Sequence, residues 1–515
     1  MLPELLAGLL HGTYLVPALS LGLVVYIVVS YVSSWSRLRH IPGPPLASWS
    51  YLWMLRICFS GKQAERYKGV NAQYGSRLVR IGPNDLITDD PDIIRRMNAA
   101  RSPYRKSSWY YAMKLDPYED SLFSLTDTAA HEKLRAKLAF GYGAKENSSL
   151  ETDIDEQLVS LIGLIRSKYI SSDADGTLRR FDLATAAQFF TLDTLTKIAY
   201  GTEFGYLSRN EDVYGYIQTA EESVPFLVML AEMPFLGRVF LAPWVLKLVG
   251  PKKTDKRGVG VIMDVAEKVV NSRFEDLALG REDQKDMLGS FIRHGVTKQQ
   301  CQIEVPFQMI AGSDTTATAI RATLLHLTTN RRAYDRLQRE IDDAAADGRV
   351  SSPVKAEEGK HLEYLQAVIY EGLRMNVPFS GLLMKEVPAE GDTLNGVHIP
   401  GGTRIAHNTM GVQRSKDIFG DDVDVFRPER WLTTDAAHHY RMQQTTDLVF
   451  GYGRWGCLGK PVAWLELNKI FVELLRRFDF QLINPKEPWH EANHNMFFQS
   501  KLWMRVTERC PENPL

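Results

Sequence analysis

The chain has 515 residues and a formal net charge of −1. That length suits one large catalytic domain or a few ordinary ones, and the near-zero charge gives no support to nucleic-acid binding driven by bulk electrostatics. Apolar, aromatic and charged fractions of 44%, 10% and 24% exclude a disordered or fibrous protein. The four cysteines, Cys58, Cys301, Cys457 and Cys510, stand far apart. A Cys-x-x-Cys zinc or redox site is thereby excluded, and such sparse usage suits a reducing compartment.

No Lys, Arg, Asp or Glu occurs from Leu5 to Ser36, and the most apolar part, "YLVPALSLGLVVYIVVSYV", runs from Tyr14 to Val32. A run of roughly 20 apolar residues crosses a bilayer as a helix. Residues 1–36 are therefore expected to be a membrane anchor, with the transmembrane part over about 14–34. Pro17 falls near its start, where proline costs least. Arg37 and Arg39 follow and no basic residue precedes, so the positive-inside bias puts the rest of the chain on the cytosolic side. A cleaved signal peptide would need a basic leading segment and a shorter apolar run, and few core helices are apolar all round.

The proline-rich "IPGPP" (41–45) marks a stiff hinge over 37–48. Beyond it, Leu78–Ile81 and Leu86–Asp89 read as two short strands turned by "GPND". The pattern from Thr126 to Asn330 is mainly helical, broken by a charged loop at 250–258, with Pro306 expected to kink its last helix or mark its start. Short apolar runs between turns over 384–407 read as a small β region, and helical periodicity returns at Pro461–Phe478. No repeat or long linker divides residues 49–515. One mainly α domain with small β-sheets is predicted.

The segment 450–459 reads "FGYGRWGCLG". Cys457 lies among Gly451, Gly453, Gly456 and Gly459, and glycine permits positive φ and close backbone approach. Such a turn aims amide N–H groups at the sulfur, and a helix expected from about Leu458 adds its dipole; both favour a thiolate. A lone cysteine is more often structural, but Phe, Gly, Cys and Gly at these offsets arise by chance in only about one such chain in a thousand.

This segment resembles the haem-binding loop of the cytochrome P-450 family, Phe-x-x-Gly-x-Arg-x-Cys-x-Gly. Three further signatures follow the family's order: "AGSDTT" (311–316), "EGLR" (371–374) and "FRPERW" (426–431). Each is weak alone, whereas four in order, with an anchor and a proline hinge, are specific. The resemblance covers essentially the whole chain and implies the cytochrome P-450 fold after one N-terminal transmembrane helix. It departs where the family carries Arg or His two residues before the cysteine: Trp455 stands there, with Arg454 one position earlier.

The resemblance assigns roles. Cys457 would be the axial thiolate of haem b, with Phe450 and Gly459 beside the macrocycle. Trp455, Lys385, His131 and Arg135 would face the propionates; "DTAAHEKLRAKL" (127–138) resembles the family's Trp-x-x-x-Arg element with His131 in the place of Trp. By itself that segment reads more readily as a solvated basic helix face. Thr315 would order dioxygen and a water, and Asp314 would relay protons, although an Ala/Thr-rich core helix is the commoner meaning of such a segment. Small Gly312 and Ser313 would admit a planar ligand. Glu371, Arg374 and Arg430 would form a buried structural charge triad. Candidate substrate walls are Tyr104–Leu125, Leu207–Trp244, Val377–Leu383 and Phe497–Phe498, all rich in apolar residues.

The implied activity is monooxygenation of a small lipophilic molecule, with O2 as co-substrate and electrons from NADPH. NADPH–cytochrome P-450 reductase is the implied partner, with cytochrome b5 a further one. Similarity to fungal secondary-metabolism members such as the pisatin demethylase-like group suggests a secondary metabolite as substrate. The expected location is the endoplasmic reticulum membrane, single-pass, with a cytosolic catalytic domain, as a monomer. A haem-thiolate isomerase or dehydratase without oxygen insertion, and a non-catalytic membrane haem-binding protein, are the alternatives; both would dispense with the Asp314–Thr315 pair.

Overall fold

The computed structural model describes residues 15–143, 145–172 and 176–509. Long helices, many of them buried on several faces, set the architecture. Helix α1 (Leu15–Arg37) leads in; the earlier part of the expected anchor, residues 1–14, lies outside the described residues, as does Cys510. Among the described residues, no single helix is long and apolar enough to cross a membrane.

The site is built on six further helices: α2 (Thr128–Leu138), α3 (Leu183–Tyr200), α4 (Tyr216–Glu232), α5 (Lys298–Thr329), α6 (Glu363–Met375) and α7 (Lys460–Leu475). The 32-residue α5 runs through the centre and packs along α3. Both are buried on nearly every side, as helices without a polar stripe must be. Thr297 caps α5 by accepting from Gln300 N at 3.2 Å. The helix therefore starts at Lys298 and passes through Pro306, which does not mark its beginning. Asp182 caps α3, and Gly201 ends it at φ 80°, a left-handed position that glycine takes without strain.

One five-stranded sheet borders the helices. Strands β1 (Leu78–Gly82) and β2 (Asp85–Thr88) form the expected hairpin. Strands β3 (Arg105–Lys106), β4 (Lys385–Glu386) and β5 (Arg404–His407) complete it in the order β1-β2-β5-β4-β3. Only the β2–β5 pairing is parallel. In the antiparallel β3–β4 pair, Lys106 lies directly opposite Lys385. Two lysine charges face to face across a ladder repel, and both side chains are buried. The remaining sheets have two or three strands each; one lies within the expected 384–407 β region, while those near the C-terminus had no counterpart in the sequence reading.

Candidate active site

A cavity of about 310 Å3 opens between α5 on one side and the 450–459 loop with α7 on the other. The loop is closed by Cys457 N donating to Phe450 O at 2.7 Å. Its turn needs glycine twice. Gly451 and Gly453 have φ of 75° and 57°, and a Cβ on Gly453 would lie 2.2 Å from Asn98 O. Helix α7 begins at Lys460 with Pro461 in its first turn, slightly later than the sequence suggested. Cys457 is an exposed residue that lines the cavity. Burial pushes its thiol pKa up, while the amides of Gly459 and Lys460 and the charge of Arg135 pull the other way. A bound cation would settle that contest in favour of the thiolate.

The other end of the slot is lined by cations without counter-ions. Lys385 donates to Leu383 O at 2.9 Å and to the Tyr110 hydroxyl, and its ammonium lies 4.9 Å from the Trp455 ring centre. Burial, then the Lys106 charge, drives its pKa well down. Lys106 donates to Leu122 O and Phe123 O at 3.0 and 2.8 Å; burial lowers its pKa to about 7. Arg135 is lowered mainly by burial. Among the described residues none of the three has a carboxylate at ion-pair distance. His131 Nδ1 and Trp455 Nε1 are buried without any hydrogen-bond partner. Burial and the surrounding cations hold His131 neutral, with its pKa pushed down to about 3. Five donors thus converge on the cavity, two of them without an acceptor, and an anionic ligand would answer both the free donors and the unpaired charges. Arg454 is not among them: it turns to Ala100 O and stands 3.5 Å from Glu132, so it is not a free surface cation.

On α5, Ala311, Gly312, Thr315 and Thr316 line the cavity. Thr315 Oγ1 donates to Ala311 O at 2.8 Å, the back-bond that loosens a helix locally. Ser313 and Asp314 point away, toward α3 and α4, so Ser313 does not widen the slot as its size suggested. Gly312 is required by packing as well, since a Cβ there would meet Leu195 at 2.9 Å. Asp314 accepts from Gln188 Nε2 and from the Tyr216 hydroxyl, each at 3.0 Å. Arg321 in turn donates to Gln188. Burial lifts the Asp314 pKa to about 6, against the lowering effect of Arg321, Tyr216, Gln188 and Ser313.

Glu371, Arg374 and Arg430 meet as a buried triad. Glu371 takes two bonds from Arg374 at 2.8 Å, one from Arg430 Nε at 3.0 Å and one from Trp431 Nε1 at 2.9 Å.

The matched family model is that of cytochrome P-450, over residues 42–504. The chain is 50% identical over 490 residues to the cytochrome P-450 monooxygenase ABA1 of Pyricularia oryzae, covering 94% of this chain and 95% of that protein. It is 44% identical to aba1 of Botryotinia fuckeliana, covering 92% of each. With abl1 of Leptosphaeria maculans the identity is 37%, over 91% of this chain and 82% of that one. The chain belongs to the cytochrome P-450 family. As a member it is a haem-thiolate monooxygenase, using O2 and NAD(P)H-derived electrons delivered by a reductase, with a small molecule as substrate. The mainly helical fold with small sheets agrees.

The residues present fit a haem. Its two propionates are the anions that the Lys106–Lys385–Arg135 end lacks, its face matches the apolar slot, and a sulfur with aimed amides stands at the floor. Phe450 lines the slot with Lys460 Nζ 5.4 Å from its ring centre. Three predicted substrate walls contribute, through Leu122, Phe123, Val224, Leu227, Phe379 and Leu383. In the fourth the inward residue is Met496, whereas Phe497 is core. Sequence reasoning missed Lys106, Glu304, Gln308 and Glu466, all of which line the cavity. Glu466 on α7 is buried, and burial raises its pKa to about 8.

Proposed function

We propose that this chain oxidises a lipophilic fungal secondary metabolite at a haem b whose iron is held by Cys457. The supporting observation is the pairing, in one cavity, of an amide-braced thiol with Lys106, Lys385 and Arg135, none of which has a carboxylate at ion-pair distance among the described residues. Haem supplies the redox centre at which dioxygen is activated. The protein's part is placement and protons. Lys385, Lys106 and Arg135 bind the propionates as charge-assisted donors, and His131 and Trp455 each add an uncharged one. Gly459 donates its amide to the sulfur. Thr315 stands on the cavity side of α5 to hold a water, and Asp314, one residue before it, exchanges protons with that water through a small side-chain rotation. Glu371, Arg374 and Arg430 brace the thiolate side without touching the reaction. The relatives named above are fungal, which supports the metabolite class.

Residues 1–36 act in this reading as a single-pass anchor, 37–48 as the hinge and 49–515 as the catalytic domain, on the cytosolic face of the endoplasmic reticulum. The helical backbone of α1 and the absence of charge up to Ser36 support an anchor. So does an exposed apolar patch, with Phe235, Trp244, Leu248 and Val249 each roughly 70% accessible. NADPH–cytochrome P-450 reductase, with cytochrome b5 as an auxiliary donor, meets a monomeric enzyme. The test is a reduced carbon monoxide spectrum followed by turnover under labelled O2. The red-shifted band is expected in the wild type and absent in Cys457→Ser, and label is expected in the product. A band untouched by Cys457→Ser refutes the reading.

A further inference from the structure

Glu304 on α5 belongs to no motif. Its side chain is 3% exposed and lines the cavity. Oε1 accepts from Leu122 N at 2.8 Å and from Gln300 Nε2 at 3.0 Å. Oε2 accepts from nothing among the described residues. Gln308, one turn further on, is already engaged: it donates to the Tyr142 hydroxyl at 3.1 Å and accepts from the Tyr200 hydroxyl at 3.4 Å. The free acceptor on this stretch of α5 is therefore the Glu304 carboxyl. Burial raises the Glu304 pKa to about 7, so above neutral pH the ionised carboxyl presents Oε2 as an acceptor to a ligand donor.

Its position fixes a distance. Ala311 follows Glu304 by seven residues, two helical turns, so both lie on one face about 10 Å apart along the axis. The lining confirms that both face the same cavity. The charges nearby narrow the ligand. Lys106 lines the same space and acts on Glu304 electrostatically, so an ammonium ligand meets a cation already there. A carboxylate ligand meets Oε2 as a like charge. A hydroxyl meets neither obstacle and donates to Oε2 without burying new charge.

We propose that Glu304 is a specificity-determining residue that receives the hydroxyl of a neutral lipophilic alcohol or phenol, presenting the carbon roughly 10 Å from that hydroxyl at Ala311 and Thr315. This rests on the reading of the cavity as the substrate site above the haem. The Phe123 and Phe307 rings, stacked at 5.1 Å, pack beside the skeleton between the two ends.

The experiment is calorimetric titration of full-length, haem-loaded protein with 1-decanol, methyl decyl ether, decylamine and decanoate. Wild type should bind the alcohol about tenfold more tightly than the ether, the value of one well-made hydrogen bond. Glu304→Leu removes the acceptor but also strands the Leu122 amide, so Glu304→Gln decides. Its oxygen keeps the Leu122 bond and its amide turns a donor toward the cavity, which should erase or invert the alcohol preference. Full reduced-carbonyl absorbance in the variant certifies its fold. An unchanged alcohol-to-ether ratio in Glu304→Gln overturns the proposal. So does tighter binding of the amine or the carboxylate, or no binding of any of the four. A wild type lacking the reduced-carbonyl band would instead fail the haem reading beneath it.

Discussion

Changing Glu371 to Gln keeps the side chain's shape and removes its charge. In the wild type this carboxylate, with no solvent exposure, faces Arg374 and Arg430 and also accepts from the Trp431 indole and the Arg427 amide. Burial alone would raise its pKa, but the Arg374 bonds and the two guanidinium charges outweigh that and hold it below the ordinary range. The stability it contributes is thus present above the unfolded carboxylate pKa and is lost only as pH falls through the lower folded value. Glutamine retains one acceptor and sets an amide against groups that are themselves donors. Arg430 keeps Asp422 at 3.0 Å, whereas Arg374 keeps only carbonyls such as Gln413 O and Val423 O and the Met375 sulfur. Breaking a buried pair from one side costs about 3–5 kcal/mol. Unfolding entropy near 2 cal/mol/K per residue, over the 42–504 stretch, amounts to about 1 kcal/mol/K. The melting temperature should therefore fall by roughly 4 °C, and haem content should fall with it. Scanning calorimetry at neutral pH, with haem quantified by the pyridine haemochrome, measures both. A variant melting within about 1 °C of wild type at full haem content would refute the bracing argument.

Lys385→Met removes one of two facing buried lysines. The haem-free protein should be as stable as wild type or more so, while haem loss to an acceptor globin speeds up about tenfold or more, the worth of a charge-assisted bond. Destabilisation of the haem-free form would contradict this. Tyr216→Phe removes a bond that lowers the Asp314 pKa from above, so the pH–rate limb set by that carboxyl should move from about 6 to higher pH by roughly half a unit to one unit. An unmoved limb would remove Tyr216 from the proton route. Deleting residues 1–36 should leave a folded, haem-binding protein that still partitions onto vesicles through the Phe235–Val249 patch, scored by flotation; complete loss of partitioning would assign all membrane affinity to the anchor.

Much of this was legible in the chain. The cysteine loop, the Glu371–Arg374 spacing and the Asp314–Thr315 pair were readable because each chemistry demands residues at fixed offsets; the structure sets Cys457 and Thr315 on one cavity and joins Glu371 to Arg374, while Asp314 turns to α3 and α4. What escaped were single residues whose importance is created by distant segments. Lys106 gains its meaning from Lys385, far along the chain but opposite it in the sheet. Glu304 and Glu466 look like ordinary helix residues until burial is known. In the segment near Phe497–Phe498 it is Met496 that reaches the cavity, because strand alternation leaves the inward face undecided until pairing fixes it. The direction of Ser313 followed from packing against α3 and α4, which helical periodicity does not reveal in a helix buried on nearly every side.

The Asp314 carboxylate ties three helices to one another: α5 carries it, α3 holds one oxygen through Gln188 and α4 holds the other through Tyr216. Helix α4 also sends Val224 and Leu227 into the cavity. One helix therefore both walls the cavity and holds a buried carboxylate of the helix across from it, so a change that shifts α4 is felt at Asp314 as well as in the cavity.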